Sequence, residues 1–365
     1  MKIKVLQQEL SQAIKKVKNA CIKNNDKHVF QTIRLNAKGN TLTLTATRLD
    51  CTFESVIKAD VKEEGEVYIY ASKLDDIITK LDDCVIFETT DNSLKIKSGN
   101  SKFQINLFNL DKFPTLRAIE YEHCLEMDFK ELKKAIKSTI TSCSNLTGNI
   151  MSGVRFKFEE NILKLGATNS YCLSHYEILC DCDFDFQTVI PKFILNEIIS
   201  NDAEIVKIEL AKQKARFTCD NETYETNILT GAFPLYEKII PNNTKEAIVN
   251  KEALMRSIEK VMPLADYEKN IVKLSFQHNT LKLDCMNNDG ISTDTIEIEY
   301  SDEPLTMAFD YKILLDGLKK SEKEEIVMSI EKPDIPITMD LGFLYLLAPL
   351  KTFWCKLLIP LPCAH

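Results

Sequence analysis

The chain has 365 residues, 44% of them hydrophobic and 27% charged, with a formal net charge of −8. That length accommodates two or three domains, and the balance excludes an intrinsically disordered chain. No apolar run approaches the ~20 residues needed to span a bilayer, and the charged start Met1-Lys2-Ile3-Lys4-Val5 is followed by no apolar core of signal-peptide length. A cytoplasmic protein without membrane partners is therefore expected.

The first predicted element is an amphipathic helix. Leu10 and Ile14 stand four apart among polar residues, and the pair returns as Leu132 with Ile136 and Leu254 with Ile258, the leucines at intervals of 122 and 122. Apolar residues at i and i+4 form the inward stripe of a helix. A hairpin follows: Ile33-Arg34-Leu35, a turn, then the alternating Asn40-Thr41-Leu42-Thr43-Leu44. Its counterparts turn at Asn161 and Asn279, spaced from Asn40 by 121 and then 118. A second helix carries Asp76, Glu197 and Asp316 in equivalent places, 121 and 119 apart. Phe113-Pro114 and Phe233-Pro234, 120 apart, close the first two copies.

Four landmarks in one order at one period make the chain three copies of one fold. The expected domains are 1–121, 122–246 and 247–351, with 352–365 an extension of unknown role. Each copy reads strand, helix, strands, helix, strands. That is an α+β unit with its helices grouped on one side of antiparallel sheet.

Little points to an enzyme. The five histidines (His28, His123, His175, His278 and His365) are dispersed, and the ten glycines form no phosphate-binding loop. The twelve cysteines include no C-x-x-C pair, which suits free thiols. Cys180 and Cys182 would share one face of a strand, as a metal pair or as two small packing residues. Asp181, Asp183 and Asp185 alternate likewise, as a metal-facing set or a solvated edge. We expect no catalytic residue, no metal and no cofactor.

Basic residues concentrate on the helices: Lys15, Lys16 and Lys18; Lys130, Lys133, Lys134 and Lys137; Lys251, Arg256 and Lys260, with further lysines on the second helix of each copy. Acids gather in predicted strands and loops such as Glu63, Glu64 and Glu66. An acidic chain with a basic helical layer suits a polyanion held on that layer. A ~120-residue domain is equivalent to a sphere ~35 Å across. Three or four such spheres close into rings too narrow for a duplex, whereas six leave a hole ~35 Å wide. Six domains require two of these chains joined head to tail, a C2 dimer. On the helices, Lys73, Lys80, Lys134 and Lys137 are candidate phosphate contacts.

The landmarks, most specifically residues 40–50, 163–173, 233–241 and 309–318, resemble the bacterial DNA polymerase III beta subunit family, the sliding clamps, across residues 1–351. The resemblance implies three tandem clamp-type domains, antiparallel sheets outside and two helices per domain lining the pore of a head-to-tail homodimeric ring. It implies a non-catalytic processivity factor on double-stranded DNA, without sequence preference. The implied partners are the DNA polymerase III alpha subunit, a clamp loader and other proteins bearing a clamp-binding motif. By position, the partner-peptide pocket looks like Met151, Thr168, Ser170, Tyr171, Cys172, Leu173, Pro234, Lys238, Ile239, Leu346, Leu347, Ala348, Pro349 and Leu350. The resemblance adds Lys23, Asn24, Lys27, Asn145, Asn149 and Lys192 to the DNA contacts, and pairs Phe103 and Ile105 with Pro263 and Leu264 at the dimer interface.

Two departures stand out. Asn169-Ser170-Tyr171-Cys172-Leu173 replaces the family's usual Asp-Gly-His-Arg-Leu, which constrains the backbone and changes the pocket rim. The alternative reading is thus a divergent clamp-like scaffold with altered partner specificity. Beyond Lys351, an apolar stretch with Phe353, Trp354, Leu357, Leu358, Ile359 and Leu361 is either a simple extension or a segment that folds back onto the pocket.

Overall fold

A computed structural model describes residues 1–22, 27–107, 113, 120–146, 148–266 and 268–350. The expected contacts Lys23 and Asn24, and the 352–365 extension, lie outside the described residues.

The first repeat runs β1 (Lys2–Leu6), α1 (Gln7–Val17), β2 (Thr32–Lys38), β3 (Thr41–Thr47), β4 (Cys51–Lys58), β5 (Asp60–Glu63), β6 (Gly65–Tyr70), α2 (Ala71–Ile78), β7 (Cys84–Thr90), β8 (Ser93–Ser98) and β9 (Ser101–Asn106). The second runs β10 (His123–Asp128), α3 (Phe129–Thr139), β11 (Gly153–Glu159), β12 (Ile162–Thr168), β13 (Cys172–Leu179), β14 (Phe186–Pro191), α4 (Lys192–Ile198), β15 (Ile205–Leu210), β16 (Lys214–Cys219) and β17 (Glu222–Asn227). The third runs β18 (Lys245–Asn250), α5 (Lys251–Val261), β19 (Ile271–Gln277), β20 (Thr280–Asn287), β21 (Gly290–Glu297), β22 (Leu305–Asp310), α6 (Tyr311–Leu318), β23 (Glu325–Ile330), β24 (Ile337–Asp340) and β25 (Leu344–Leu347). The helix–hairpin–helix order of each copy is the one its periodicity predicts.

Local chemistry explains the element ends. The α1 stripe Leu10, Ala13, Ile14 and Val17 is buried while Lys15 is exposed. Asp128, Asn250 and Asp310 accept backbone N–H bonds from Glu131, Ala253 and Lys312, satisfying donors at the starts of α3, α5 and α6. Asn161 and Asn279 take φ of +59° and +57° at their turns, a conformation asparagine tolerates better than most residues.

The chain forms two compact units that divide the second repeat between them: Met1–Lys133 with Ile190–Leu229, and Lys134–Val189 with the chain from Thr230 onward. The first unit holds a five-stranded sheet, β5-β1-β7-β8-β9, and an eight-stranded sheet, β10-β15-β16-β17-β4-β3-β2-β6. The second holds an eight-stranded sheet, β14-β11-β12-β13-β25-β24-β23-β18, and a four-stranded sheet, β21-β20-β19-β22. Each eight-stranded sheet runs unbroken across a repeat boundary. In the first unit β17 pairs antiparallel with β4, setting Tyr224 opposite Phe53. In the second β13 pairs antiparallel with β25, setting Ser174 opposite Tyr345.

One expectation is corrected. Asp181, Asp183 and Asp185 do not lie on a strand; with Cys180 and Cys182 they form the irregular connection from β13 to β14, and the three carboxylates are exposed. Aspartate is disfavoured in strands, and alternation alone does not supply a ladder partner. Among the described residues no three His, Cys, Asp or Glu side chains are grouped to hold a metal ion. No helix among them is long and apolar enough to cross a membrane.

Candidate functional site

The candidate pocket residues all belong to the second unit. The turn from β12 to β13 is held by side chains. Thr168 Oγ1 donates to the Cys172 carbonyl at 2.7 Å and accepts from Ser170 N–H at 3.2 Å. Asn169 Oδ1 accepts from the N–H groups of Tyr171 and Cys172, both at 2.9 Å. This asparagine turn holds Ser170 at φ +77°, the left-handed region that glycine enters most easily. A serine there costs ~1–2 kcal/mol, so the turn that the resemblance assigns to a glycine is held here at the expense of strain. The turn throws the Tyr171 side chain outward, 59% exposed, and brings Ser170 Oγ to 3.8 Å from Met151 Sδ.

A second wall comes from residues 233–239, which lie against β11–β13. Tyr236 is fully buried, and its ring fills the space above Gly166, where any Cβ would overlap it. Tyr236 Oη and His175 Nδ1 are 2.8 Å apart, and His175 Nε2 lies 3.0 Å from Glu177 Oε1. Arg155, 1% exposed, pairs with Glu237 and sets its guanidinium 4.3 Å from the Tyr236 ring centroid and 5.8 Å from that of Phe233. Burial pushes the Tyr236 hydroxyl up to about 12, against the opposing pull of Arg155. Burial also raises the Glu237 carboxyl, but hydrogen bonding and charge from Arg155 outweigh it and hold the group below its usual range. The short 3-10 turn Tyr236–Ile239 is thus locked from beneath while Lys238 and Ile239 face outward, Ile239 59% exposed.

The third wall is β25 and the residues after it. Ala348 N–H donates to the Tyr171 carbonyl at 2.9 Å, and Leu350 N–H to the Ala308 carbonyl at 2.8 Å. Leu346, Leu347, Cys172 and Leu173 are buried and serve as the base of the walls, not their open face. Thr168 is also buried. The accessible surface comes from Ser170, Tyr171, Lys238 and Ile239, with Met151, Pro234, Ala348, Pro349 and Leu350 half-buried. Sequence reasoning missed Leu235, which stands 62% exposed beside Pro234. Its neighbour Pro234 belongs to the Phe233-Pro234 landmark of the repeat, and an apolar residue directly after that landmark was the available signal.

The basic candidates separate by exposure. Lys27, Lys73 and Lys80 in the first unit are exposed, as are Lys134, Lys137 and Asn145 in the second. Lys192 is half-buried at the start of α4. Asn149 is half-buried and engaged, its Oδ1 accepting from Met151 N–H at 2.9 Å. Lys134 Nζ lies 2.8 Å from Glu322, an exposed ion pair of the weak kind that a phosphate can displace.

The candidate interface residues sit at sheet edges. Phe103 and Ile105 are on β9, which among the described residues pairs only with β8, and Phe103 is 37% exposed. Pro263 and Leu264 follow α5, and Leu264 Cδ1 lies 3.6 Å from where a Cβ on Gly290 would stand, at the start of the other edge strand, β21. β21 itself, alternately exposed with Ile291 65% exposed, was not picked out from the sequence. Its polar residues gave no apolar signal.

Comparison with known proteins agrees with this architecture at every repeat. Residues 1–117, 126–235 and 237–340 match, in order, the N-terminal, central and C-terminal domain models of the DNA polymerase III beta subunit. The beta sliding clamp of Bacillus subtilis is 25% identical over 379 residues, covering 97% of this chain and 100% of the relative. That of Synechococcus elongatus is 24% identical over 372 residues, covering 96% and 99%. Among solved structures, the Pseudomonas aeruginosa sliding clamp bound to griselimycin superposes with a TM-score of 0.93 at 20% identity, covering 96% of this chain and 100% of that one. The Caulobacter crescentus clamp gives 0.90 at 23% identity, with the same coverage. With consecutive domain models matched along almost the whole chain, this protein belongs to the DNA polymerase III beta subunit family, the sliding clamps.

Proposed function

We propose that two copies of this chain close head to tail into a ring around duplex DNA, and that the groove between the 168–173 turn, residues 234–239 and residues 346–350 takes short apolar peptides from replication partners. As a beta sliding clamp the protein is a non-catalytic processivity factor of DNA polymerase III. The finer partners we infer are the alpha subunit, the clamp loader and other proteins carrying a clamp-binding motif, met in the cytoplasm. The domains we infer meet near residues 121 and 246.

The observation that carries the ring is the fate of equivalent strands. Hairpin register sets Phe103 opposite Ile96 as Tyr224 stands opposite Phe217 and Tyr345 opposite Met339. Likewise Ser292 stands opposite Cys285 as Phe53 does opposite Ala46 and Ser174 opposite Ala167. The equivalents are joined at both boundaries inside the chain, Tyr224 to Phe53 and Tyr345 to Ser174. Among the described residues the third pair, Phe103 and Ser292, is left on sheet edges. Edge strands of this kind are templates for another chain. Repeating the internal register sets Phe103 opposite Ser292 of a second copy and Ile105 opposite Gly290, beside Leu264 and Pro263. An isologous dimer makes that contact twice and closes.

Lys27, Lys73, Lys80, Lys134, Lys137, Asn145, Asn149 and Lys192, with Lys23 and Asn24, would then offer weak phosphate contacts that permit sliding, retention coming from topology. The test is retention after a high-salt wash on a nicked circular plasmid loaded with a bacterial clamp loader. We expect retention on circles and release when the circle is cut. Equal retention on both, or none on either, would overturn the ring and favour the divergent scaffold suggested by the Asn169–Cys172 rim.

A further inference from the structure

Among the described residues outside the candidate groove, interface and basic helices, two cysteines lie side by side. In the connection between β13 and β14, Cys180 Sγ and Cys182 Sγ lie 3.4 Å apart. The two thiols face one another across a single residue, on a stretch that lies outside the regular strands. Cys180 is half-buried, its backbone N–H fixed to the Asn161 carbonyl at 2.9 Å, whereas Cys182 is 4% exposed. Asp181 and Asp183 beside them are exposed carboxylates, so the approach to the pair is negatively charged.

We propose that Cys180 and Cys182 are a redox-modifiable dithiol that closes to an intramolecular disulfide by exchange with low-molecular-weight disulfides. The accessible Cys180, deprotonated, attacks one sulfur of the small disulfide and expels a thiolate. Cys182, deprotonated in turn, attacks Cys180 Sγ of the mixed disulfide and expels the second thiolate. The protein dithiol is oxidised by two electrons, the small disulfide is reduced, and the two thiol protons end on the two released thiols. Closure brings the sulfurs from 3.4 Å to the ~2.05 Å of a bond, a movement the irregular segment can take up. Neighbouring sulfur at contact distance makes the second step intramolecular, so the mixed disulfide is short-lived. Burial, then the second thiol, pushes the Cys180 thiol up to about 12, so exchange is slow at neutral pH and faster in mild alkali. The flanking aspartates favour a cationic disulfide over an anionic one.

The experiment treats the folded full-length protein with cystamine at mildly alkaline pH, then maps each cysteine by mass spectrometry. Cys124, an exposed free thiol, is the internal control. In the wild type we expect the peptide spanning 180–182 to lose two hydrogens while Cys124 carries a stable cysteamine adduct. In Cys182→Ser the adduct is trapped on Cys180. In Cys180→Ser the buried Cys182 stays reduced. Glutathione disulfide at equal concentration should close the pair several-fold more slowly. The proposal fails if wild-type Cys180 keeps its adduct without closing, or if the pair stays reduced while Cys124 is fully modified.

Discussion

Gly166 and Tyr236 show how a single atom sets the groove. Gly166 sits mid-strand in β12, where glycine is ordinarily a weak choice, and its φ is not positive. The reason for it is the Tyr236 ring, which occupies the volume a Cβ would need. Gly317 does the same in α6, where a Cβ would come within 2.7 Å of the Tyr345 ring. Alanine is favoured over glycine by ~1 kcal/mol in a helix, yet overpacking costs ~1–3 kcal/mol, so at both positions the steric term decides the sign. We expect Gly166→Ala to lower unfolding free energy by ~1–3 kcal/mol in urea titration. Because displaced Tyr236 carries Lys238 and Ile239 with it, the same variant should weaken binding of an apolar partner peptide by fluorescence anisotropy. Unchanged stability and unchanged affinity together would mean that the 233–239 segment is not seated by this packing.

At the scale of elements, the edge strands β9 and β21 carry the dimer argument. Phe103 is 37% exposed, whereas its equivalents Tyr224 and Tyr345 are each 2% exposed at the internal junctions. Covering the third of Phe103 that is still exposed contributes roughly a third of the ~1.5–3 kcal/mol of full burial, and an interface made twice doubles any loss. Phe103→Asp removes that term and places a carboxylate against the partner strand, so dimer dissociation should rise at least a hundred-fold. Light scattering should give a mass near twice 41.7 kDa for the wild type and near 41.7 kDa for the variant. A variant that remains dimeric at low micromolar concentration would move the interface elsewhere. The same strands mark what was legible in the sequence. Helices and hairpins were readable because Leu10, Ile14 and Asn40 have echoes one period on, and repetition turns a weak local signal into a firm one. The edge strand β21, which the proposed dimer uses, was not readable in that role, since its exposed face reads Ile291, Thr293, Thr295, Glu297 with little apolar character. The candidate pocket was legible only as a set of positions. Which of those side chains are wall and which are surface, as with buried Leu173 and exposed Tyr171, depends on tertiary packing that periodicity does not carry.

Over the whole molecule, the titratable groups predict a stability plateau with two falling limbs. Hydrogen bonds from Lys157 and Lys164 hold Glu159 at about 2, and those from Lys260 and Lys323 lower Asp294 and Asp340. Glu225 and Glu237 are raised by burial but brought below 4.5 by their basic partners. A carboxyl depressed in the fold binds its proton more readily when unfolded, so its stabilisation is present above the ordinary value and is lost as pH falls through the folded one. The acid limb therefore runs from about 4.5 downward, reaching about 2 with Glu159. On the other side, burial raises Cys21, Cys51, Cys219 and Cys285 from 9.0 to about 12. A group whose folded value is raised stabilises below its ordinary value and loses that contribution as pH rises, so the alkaline limb begins near 9 and continues to about 12. Urea midpoints should be level between ~pH 5 and 9 and decline on both sides. Glu159 is partly exposed, so its share is small, about 1 kcal/mol or less. Replacing Lys157 and Lys164 with Met should still flatten the limb between ~pH 4 and 2 without shifting the alkaline one. An unaltered acid limb in that double variant would place the titrating carboxylates elsewhere, with Asp294 and Asp340 the next to change.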